Sequence, residues 1–552
     1  MTKSWARIIL FVRSFLPNNF TGNPVLCNWV NITPLSALLV LVLLTSCVSV
    51  KKFNEKLSTP VAAEKLKADV DYAYASLQEL HPELYWYISK DSLDRKFEAV
   101  KKTIDSPLTP AEFYRKLAPV VADVRQGHLR LVLPDRKLNV DERKALKLQK
   151  GLFSRYNYVV EEDRIFVKDN ADKIPNMEVG TEILKINDAP ASELISSYRQ
   201  LNNSDGYNTT FLRYSMAKRW PYFFTAENGI LDSVKMETRF KDSIQTFWLK
   251  REKITAAEKK TEKEANRKLT KSEKGKTKDY NIITRSFNRD LQFPTKDSTV
   301  AYMKIKTFSG TFSKRFYRES FRTINNSPAN YLIIDMRDNL GGSLSEINNL
   351  YSYLTAEKFR FIKDIQITKP GSMFQADYFR MVPNITKPIA AVAYPFYLAG
   401  TAFSIKKTPA GTFLRNNGKT AVKKPNKDHF KGKVYVLING SSFSAASILP
   451  AKLKDAKRAI LVGEETGGAN DGTVAGRYST RKLKNSGLQL PIGLMLIQPD
   501  IEFSGNGKGV IPHHEIIPDV QQILQKKDIQ LEWILQDIKK DSAQSTGPDG
   551  KS

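Results

Sequence analysis

The residues best suited to chemistry lie in Asn439-Gly440-Ser441-Ser442-Phe443-Ser444-Ala445-Ala446-Ser447. An apolar run, Lys433 to Ile438, reads as a buried strand just before them, and a helical pattern over 445–453 follows. A serine at such a strand-to-helix turn stands where the first amides of the helix point outward, and those amides can stabilise a developing oxyanion. Serine is also a favoured helix cap, so this stretch alone leaves Ser444 as either nucleophile or cap. Two further turns sharpen the choice. Asp335-Met336-Arg337-Asp338-Asn339-Leu340-Gly341-Gly342 closes another apolar strand with a double glycine, whose backbone can approach a ligand closely. An N–H from Gly341 or Gly342, joined by that of Ala445, would form an oxyanion hole. The next strand ends in Gly463-Glu464-Glu465-Thr466-Gly467-Gly468.

Together these turns resemble the C-terminal-processing (tail-specific) protease and tricorn-core serine peptidase family. That family carries a D-x-R-x-N-x-GG turn, an S-A-[AS]-[ES] nucleophile turn, a GE-x-T-x-G turn and a late G-x-GV-x-P segment. Here they are Asp335 to Gly342, Ser444 to Ser447, Gly463 to Gly467, and Gly507-Lys508-Gly509-Val510-Ile511-Pro512, in order. The resemblance implies that Ser444 is the nucleophile. The processing-protease branch uses a lysine about twenty-five residues later, but Gly467 to Gly476 contains none. The tricorn-like branch uses a histidine in a [DS]-G/S-H turn, and Arg125-Gln126-Gly127-His128-Leu129-Arg130-Leu131 fits, with Gly127 where that branch has a serine. Histidine titrates near neutrality, which suits general-base work on a serine. Of the other four histidines, His81 precedes Pro82 in a helical region and His429 lies in a polar loop, while His513 and His514 are the rivals for the base. A third group should orient the imidazole. In the tricorn core it is a late glutamate, whose spacing falls at Glu502, with Asp500 and Glu464 as alternatives.

The elements that must position these groups can be read from the rest of the chain. A length of 552 residues predicts three or four domains. With 41% hydrophobic and 10% aromatic residues, the composition is that of a globular protein. A net charge of +28 could favour nucleic acid or an anionic membrane, but no nucleic-acid motif accompanies it, and it reads as a solvated basic surface. The two cysteines are Cys27 and Cys47. Lys3, Arg7 and Arg13 precede an apolar run, Leu35 to Leu44, of secretory-signal length and short for a membrane span. The run ends in Leu44-Thr45-Ser46-Cys47, which resembles a bacterial lipobox whose cysteine is diacylated and becomes the new N-terminus. Cleavage there would leave one modified cysteine and no disulfide.

The expected organisation is a lipoprotein signal peptide over 1–46, a tether over 47–60 and an N-terminal helical domain over 61–148. In that domain Val61, Leu66, Val70, Tyr74 and Leu77 recur at helical steps, and Thr109 caps a helix opened by Pro110. A PDZ-like domain follows over 149–249. Val179 to Asp188 alternates and turns at Asn187-Asp188 before Pro190, much as in the PDZ core, although Thr181 stands where that core has an aspartate. PDZ domains capture peptides by strand addition. Residues 250–280 form a lysine-rich charged insertion, 281–535 the catalytic serine peptidase domain and 536–552 a disordered tail. Strands near 299–305, 329–335, 433–438 and 459–463, separated by helical stretches, predict a parallel sheet.

The fold class implied is α/β multidomain: a crotonase-like (ClpP-like) catalytic domain with a PDZ-like β-rich domain and an N-terminal helical segment. The function implied is a serine-type endopeptidase of the tail-specific/tricorn-core kind. It would cleave polypeptides in the cell envelope by a Ser-His(-Glu) acyl-enzyme route and face the periplasm from a lipid anchor. The alternative is a catalytically silent member serving as a peptide-binding or scaffold lipoprotein. No metal-binding or phosphate-binding motif occurs, and neither metal, cofactor nor nucleic-acid partner is expected.

Overall fold

In the computed structural model the described residues are 49–545, apart from 171–173, 257, 259–278, 282–285, 311, 381, 417 and 503. The signal peptide, Cys47, most of the charged insertion and the last seven residues lie outside them. A short helix, Val50–Ser58, occupies the stretch read as a tether. Helices α1 (Ala63–Leu80), α2 (Lys90–Lys102) and α3 (Pro110–Ala122) follow. Leu66, Val70, Ala73, Leu77 and Leu80 bury one stripe of α1, as their helical spacing requires. Thr109 caps α3 in a reciprocal box with Glu112. These helices share one continuous core with the parallel-sheet unit described below, in which Leu66, Phe97 and Phe113 pack in the same cluster as Leu332, Val436 and Leu490. Asp69 of α1 ties them polarly by accepting both the N–H and the hydroxyl of Ser486 at 2.7 Å.

A separate core belongs to an antiparallel sheet of β1 (Tyr156–Glu161), β2 (Arg164–Asn170), β3 (Glu182–Ile186), β4 (Ser233–Phe240) and β5 (Ser243–Lys250), hydrogen-bonded in that order. Helices α4 (Ala191–Gln200) and α5 (Thr210–Asn228) pack on it. Buried Trp220 of α5 lies 4.7 Å from Phe153 and 4.9 Å from Tyr158, ring to ring. The chain leaves β3 through Asn187 at φ 53°, a conformation asparagine tolerates better than most residues.

The unit expected to be catalytic is built on β6 (Arg289–Gln292), β7 (Val300–Ile305), β8 (Tyr331–Asp335), β12 (Lys433–Ile438), β13 (Ile460–Gly463) and β16 (His514–Glu515). They lie in the order β16-β13-β12-β8-β7-β6, and all pair in parallel except β6. Crossover helices α6 (Ser313–Asn325), α7 (Leu344–Ser352) and α9 (Ala445–Asp455) connect the parallel strands. Alternate residues serve two faces. Leu332, Ile334, Val434 and Val436 join the main core, while Ile333, Tyr435 and Leu437 meet Ile534 and Ile538 of α10 (Ile529–Ser545). The helix therefore runs well into the stretch expected to be a disordered tail. Its apolar side closes the second face of the sheet, and Asp537 and Asp541 accept from the hydroxyls of Tyr435 and Tyr331 at 2.6 and 3.0 Å.

A third sheet was not anticipated. It contains β9 (Ile365–Ile367), β10 (Ile405–Lys407), β11 (Phe413–Arg415), β14 (Thr473–Lys482) and β15 (Gln489–Ile497), in the order β10-β11-β9-β15-β14. Between β9 and β10 runs α8 (Lys387–Phe403).

Candidate active site

Ser444 sits between β12 and α9 at φ 59°, ψ −120°, a backbone conformation side chains with a Cβ avoid. The turn is fixed in this state from outside. Asn439 Oδ1 accepts the N–H of Asp338 at 3.0 Å and of Ser441 at 3.1 Å. The Ser442 hydroxyl donates to Met336 O at 2.9 Å, and Phe443 N–H donates to Asn339 O at 3.0 Å. The Ser444 hydroxyl makes no capping bond, which removes the cap reading of this residue. The N–H of Ala445, first in α9, has no acceptor among the described residues.

The double glycine packs directly on this turn. A Cβ on Gly341 would lie 2.7 Å from Phe443 O, 2.8 Å from Ala445 N and 2.9 Å from Ser444 Cβ, and φ is 94°, so only glycine fits. Its own N–H already donates to Asn339 Oδ1 at 2.8 Å. Gly341 is thus a spacer and not an oxyanion donor. Gly342 is exposed, and its N–H has no acceptor among the described residues. It is the amide of this turn left to act with Ala445.

His128 arrives on a turn held by the β1–β5 unit. Gly127 N–H donates to Asp205 Oδ1 at 2.8 Å, Gly206 N–H to Arg125 O at 2.8 Å, and Asn203 Nδ2 to Gln126 O at 2.9 Å. Val474 N–H, from β14, reaches Gln126 Oε1 at 3.3 Å. The imidazole lies against Phe443, the residue before Ser444, with centroids 5.0 Å apart, and 6.5 Å from the Tyr478 ring. The His128 and Ser444 segments therefore meet, although their side chains form no hydrogen bond among the described residues. His128 Nε2 is buried without a partner. Burial, helped by the Arg130 charge, pushes the imidazole pKa down to about 4 and keeps it neutral near pH 7. The rivals are engaged elsewhere. His513 Nδ1 accepts the Leu461 N–H at 2.9 Å, and His514 lies on Trp533 with centroids 4.2 Å apart.

Glu502 does not join this cluster. It is exposed, and its N–H donates to Asp455 at the far end of α9. That helix of 11 residues is about 16 Å long at 1.5 Å per residue, with Ser444 at the opposite end. Asp500 presents its backbone carbonyl to Lys452. Glu464 is buried and bound by Arg213 and the Tyr214 hydroxyl, each at 2.6 Å. The carboxyl group nearest the histidine turn is Asp205, which sequence reasoning missed. Its Oδ1 accepts from Gly127 N–H and from the Thr473 hydroxyl at 3.1 Å, while Oδ2 is buried without a partner. Burial raises its pKa to about 7. In sequence, Ser204-Asp205-Gly206 has only the look of a turn.

A cavity of about 1210 Å³ opens on the other side of these turns. Tyr156, Tyr158 and Tyr222 of the β1–β5 unit line it together with Arg337, Asp338 and Asn439 at the carboxyl ends of β8 and β12. Parallel α/β sheets commonly take ligands at that end. Neither Ser444 nor His128 lines it. Among the described residues no cluster of His, Cys, Asp and Glu could hold a metal ion.

A strained serine on a strand-to-helix turn, an unpaired helix-terminal amide and a glycine turn packed on both are the parts a serine hydrolase centre uses. The model of peptidase family S41 matches residues 299–516, and these residues form a serine peptidase domain of the hydrolase class. No curated protein matches it in sequence. Among solved structures it is similar to mature CPAF, with TM-score 0.57 at 16% identity over 89% of this chain and 99% of that one. Mature CPAF complexed with lactacystin gives 0.58 at 15%, over 87% and 98%. The shared fold thus extends over nearly the whole of both chains. The photosystem II D1 C-terminal processing protease gives 0.39 at 14%, over 83% and 96%.

Proposed function

We propose that the chain is an endopeptidase of the tail-specific/tricorn-core kind, acting on polypeptides in the cell envelope through Ser444 and His128. The observation that carries the reading is Ser444 itself, held in a strained conformation with a free hydroxyl beside the unpaired Ala445 amide. His128 Nε2 takes the hydroxyl proton as Oγ attacks the peptide carbonyl. The amides of Ala445 and Gly342 hold the oxyanion, and the imidazolium then gives its proton to the departing amine. Water hydrolyses the acyl-enzyme by the same steps in reverse role. His128 must turn toward Oγ for the first step, a movement its unpartnered Nε2 does not oppose. Asp205 fixes the backbone from which the imidazole is presented.

In this reading the β1–β5 unit is a PDZ-like domain that presents a polypeptide end, and the cavity beside β1 and α5 is where that end enters. Cys47, diacylated after removal of residues 1–46, anchors the chain to the membrane on the periplasmic side. The test is cleavage of a polypeptide substrate by the purified chain and by Ser444→Ala. Activity abolished in a folded variant supports the reading, and activity retained removes it.

One observation favours the silent-scaffold alternative: among the described residues the imidazole has neither an acid partner nor a bond to Ser444, and Glu502 is exposed at the distant end of α9. A folded wild-type chain inert toward serine-directed probes would select that alternative.

A further inference from the structure

Helix α8 breaks the usual rule for a surface helix. Its inward positions, Tyr394, Tyr397, Leu398 and Thr401, follow helical spacing, and the Arg477 guanidinium of β14 lies over the Tyr397 ring, 5.5 Å from its centroid. Its outward positions should be polar. Instead Ile389 is 72% exposed, Val392 75%, Phe396 78% and Phe403 89%. These residues stand three, four and seven positions apart and so form one stripe. From Lys387 to Phe403 the only charge is that of Lys387. A helix apolar on both sides belongs under cover.

The charge around it indicates what covers it. From Tyr378 to Lys427 there is no acidic residue, while nine basic ones occur. Lys387 starts the helix, Lys406 and Lys407 follow it on β10, and Lys423 and Lys424 lie beyond, all without an acidic partner among the described residues. A second copy meeting this face across a two-fold axis would bring two such basic rims together, which disfavours it. An anionic bilayer satisfies both features, since its acyl boundary takes the apolar stripe and its headgroups take the lysines. The helix has 17 residues, about 26 Å at 1.5 Å per residue, short of the roughly 20 residues a span requires. No helix among the described residues is long and apolar enough to cross a membrane.

We propose that α8 is an interfacial helix that lies on an anionic lipid surface, with Ile389, Val392, Phe396 and Phe403 inserted and the flanking lysines on the headgroups. It would act in addition to any N-terminal anchor and hold the peptidase against the membrane. Because α8 abuts β14, which also carries Tyr478 beside His128, docking would bring the catalytic cleft close to the bilayer.

Hydrogen exchange of the full chain, followed by mass spectrometry, reads this helix apart from the leader. Vesicles of phosphatidylcholine with one-third phosphatidylglycerol should slow exchange in 385–403 about tenfold, and pure phosphatidylcholine vesicles should do so far less. Val392→Ser/Phe396→Ser, with both side chains already in solvent, should fold and lose the slowing. Lys406→Gln/Lys407→Gln should weaken docking about thirtyfold and lose it too. Unchanged exchange in 385–403 on vesicles that carry the bound chain would overturn the proposal. So would slowing that rises with protein concentration without lipid, which is the mark of a second copy, or slowing produced only by a polypeptide substrate.

Discussion

The Asp205 carboxylate accepts the Gly127 N–H at 2.8 Å, one residue before His128. The β1–β5 unit thereby grips the backbone that carries the proposed general base. Asp205→Asn keeps an oxygen in the same place and should retain most activity. Asp205→Ala should lower kcat/KM by about tenfold to a hundredfold, the worth of one buried hydrogen bond to a carboxyl group. Steady-state kinetics of the two variants check this, and equal loss in both would contradict it.

The same residue makes a stability prediction. Its folded pKa, about 7, lies above the unfolded value near 4, so between those limits the native state holds the extra proton. Stability from this group therefore falls as pH rises from about 4 to 7 and stays level above. Asp205→Asn removes that loss. Relative to wild type, the variant should be more stable at pH 8 than at pH 4, by up to about 4 kcal/mol. Urea denaturation at the two pH values measures the difference.

His128 is held neutral by burial, with a pKa pushed down to about 4. The acidic limb of kcat/KM should then lie well below the ordinary imidazole value of about 6.5, with activity level through pH 6 to 7. A limb at 6.5 or above would mean that the working imidazole is solvated, unlike the one in this structure.

Gly341 has no room for a side chain. Gly341→Ala would drive a methyl group against Ala445 N and Ser444 Cβ at a φ of 94°. The expected cost is about 3 kcal/mol, with loss of the reactive serine conformation even in the fraction that folds. Thermal unfolding and probe reactivity measured on the same samples test both parts.

Much of this centre was legible in the sequence because it is local. The strand before Ser444, the helix after it and the double glycine are contiguous patterns, and β7, β8, β12 and β13 fall within two residues of their expected limits. The Thr109 cap and the turn at Asn187 were readable for the same reason. Long-range pairings were not. Asp205 carries no motif, and its role exists only because Gly127 and Thr473 meet it in space. Strands β14 and β15 were not read from the sequence, since they form a sheet with strands far away in the chain, and Val474, Leu490, Ile492 and Leu494 are buried in it. Spacing pointed to Glu502, but the chain at that point follows the outer end of α9.

Arg289 makes a prediction about the scaffold. It is fully buried and donates to Asp279 at 2.6 Å and to Glu346 at 2.7 and 2.8 Å, while its Nη2 also reaches Ser309 O at 2.9 Å. Glu346 lies on α7, just after the double glycine, so this knot braces the glycine turn. Glu346→Gln would leave much of the buried cation unpaired and should cost about 3 to 5 kcal/mol in chemical denaturation.

The central claim is that Ser444 is a nucleophile activated by His128, and fluorophosphonate labelling with mass spectrometry of the modified peptide tests it most directly. The expected result is a single adduct on Ser444, absent in Ser444→Ala and formed at least a hundredfold more slowly in His128→Ala. An adduct elsewhere, or Ser444 labelling that is indifferent to loss of the imidazole, would contradict the account.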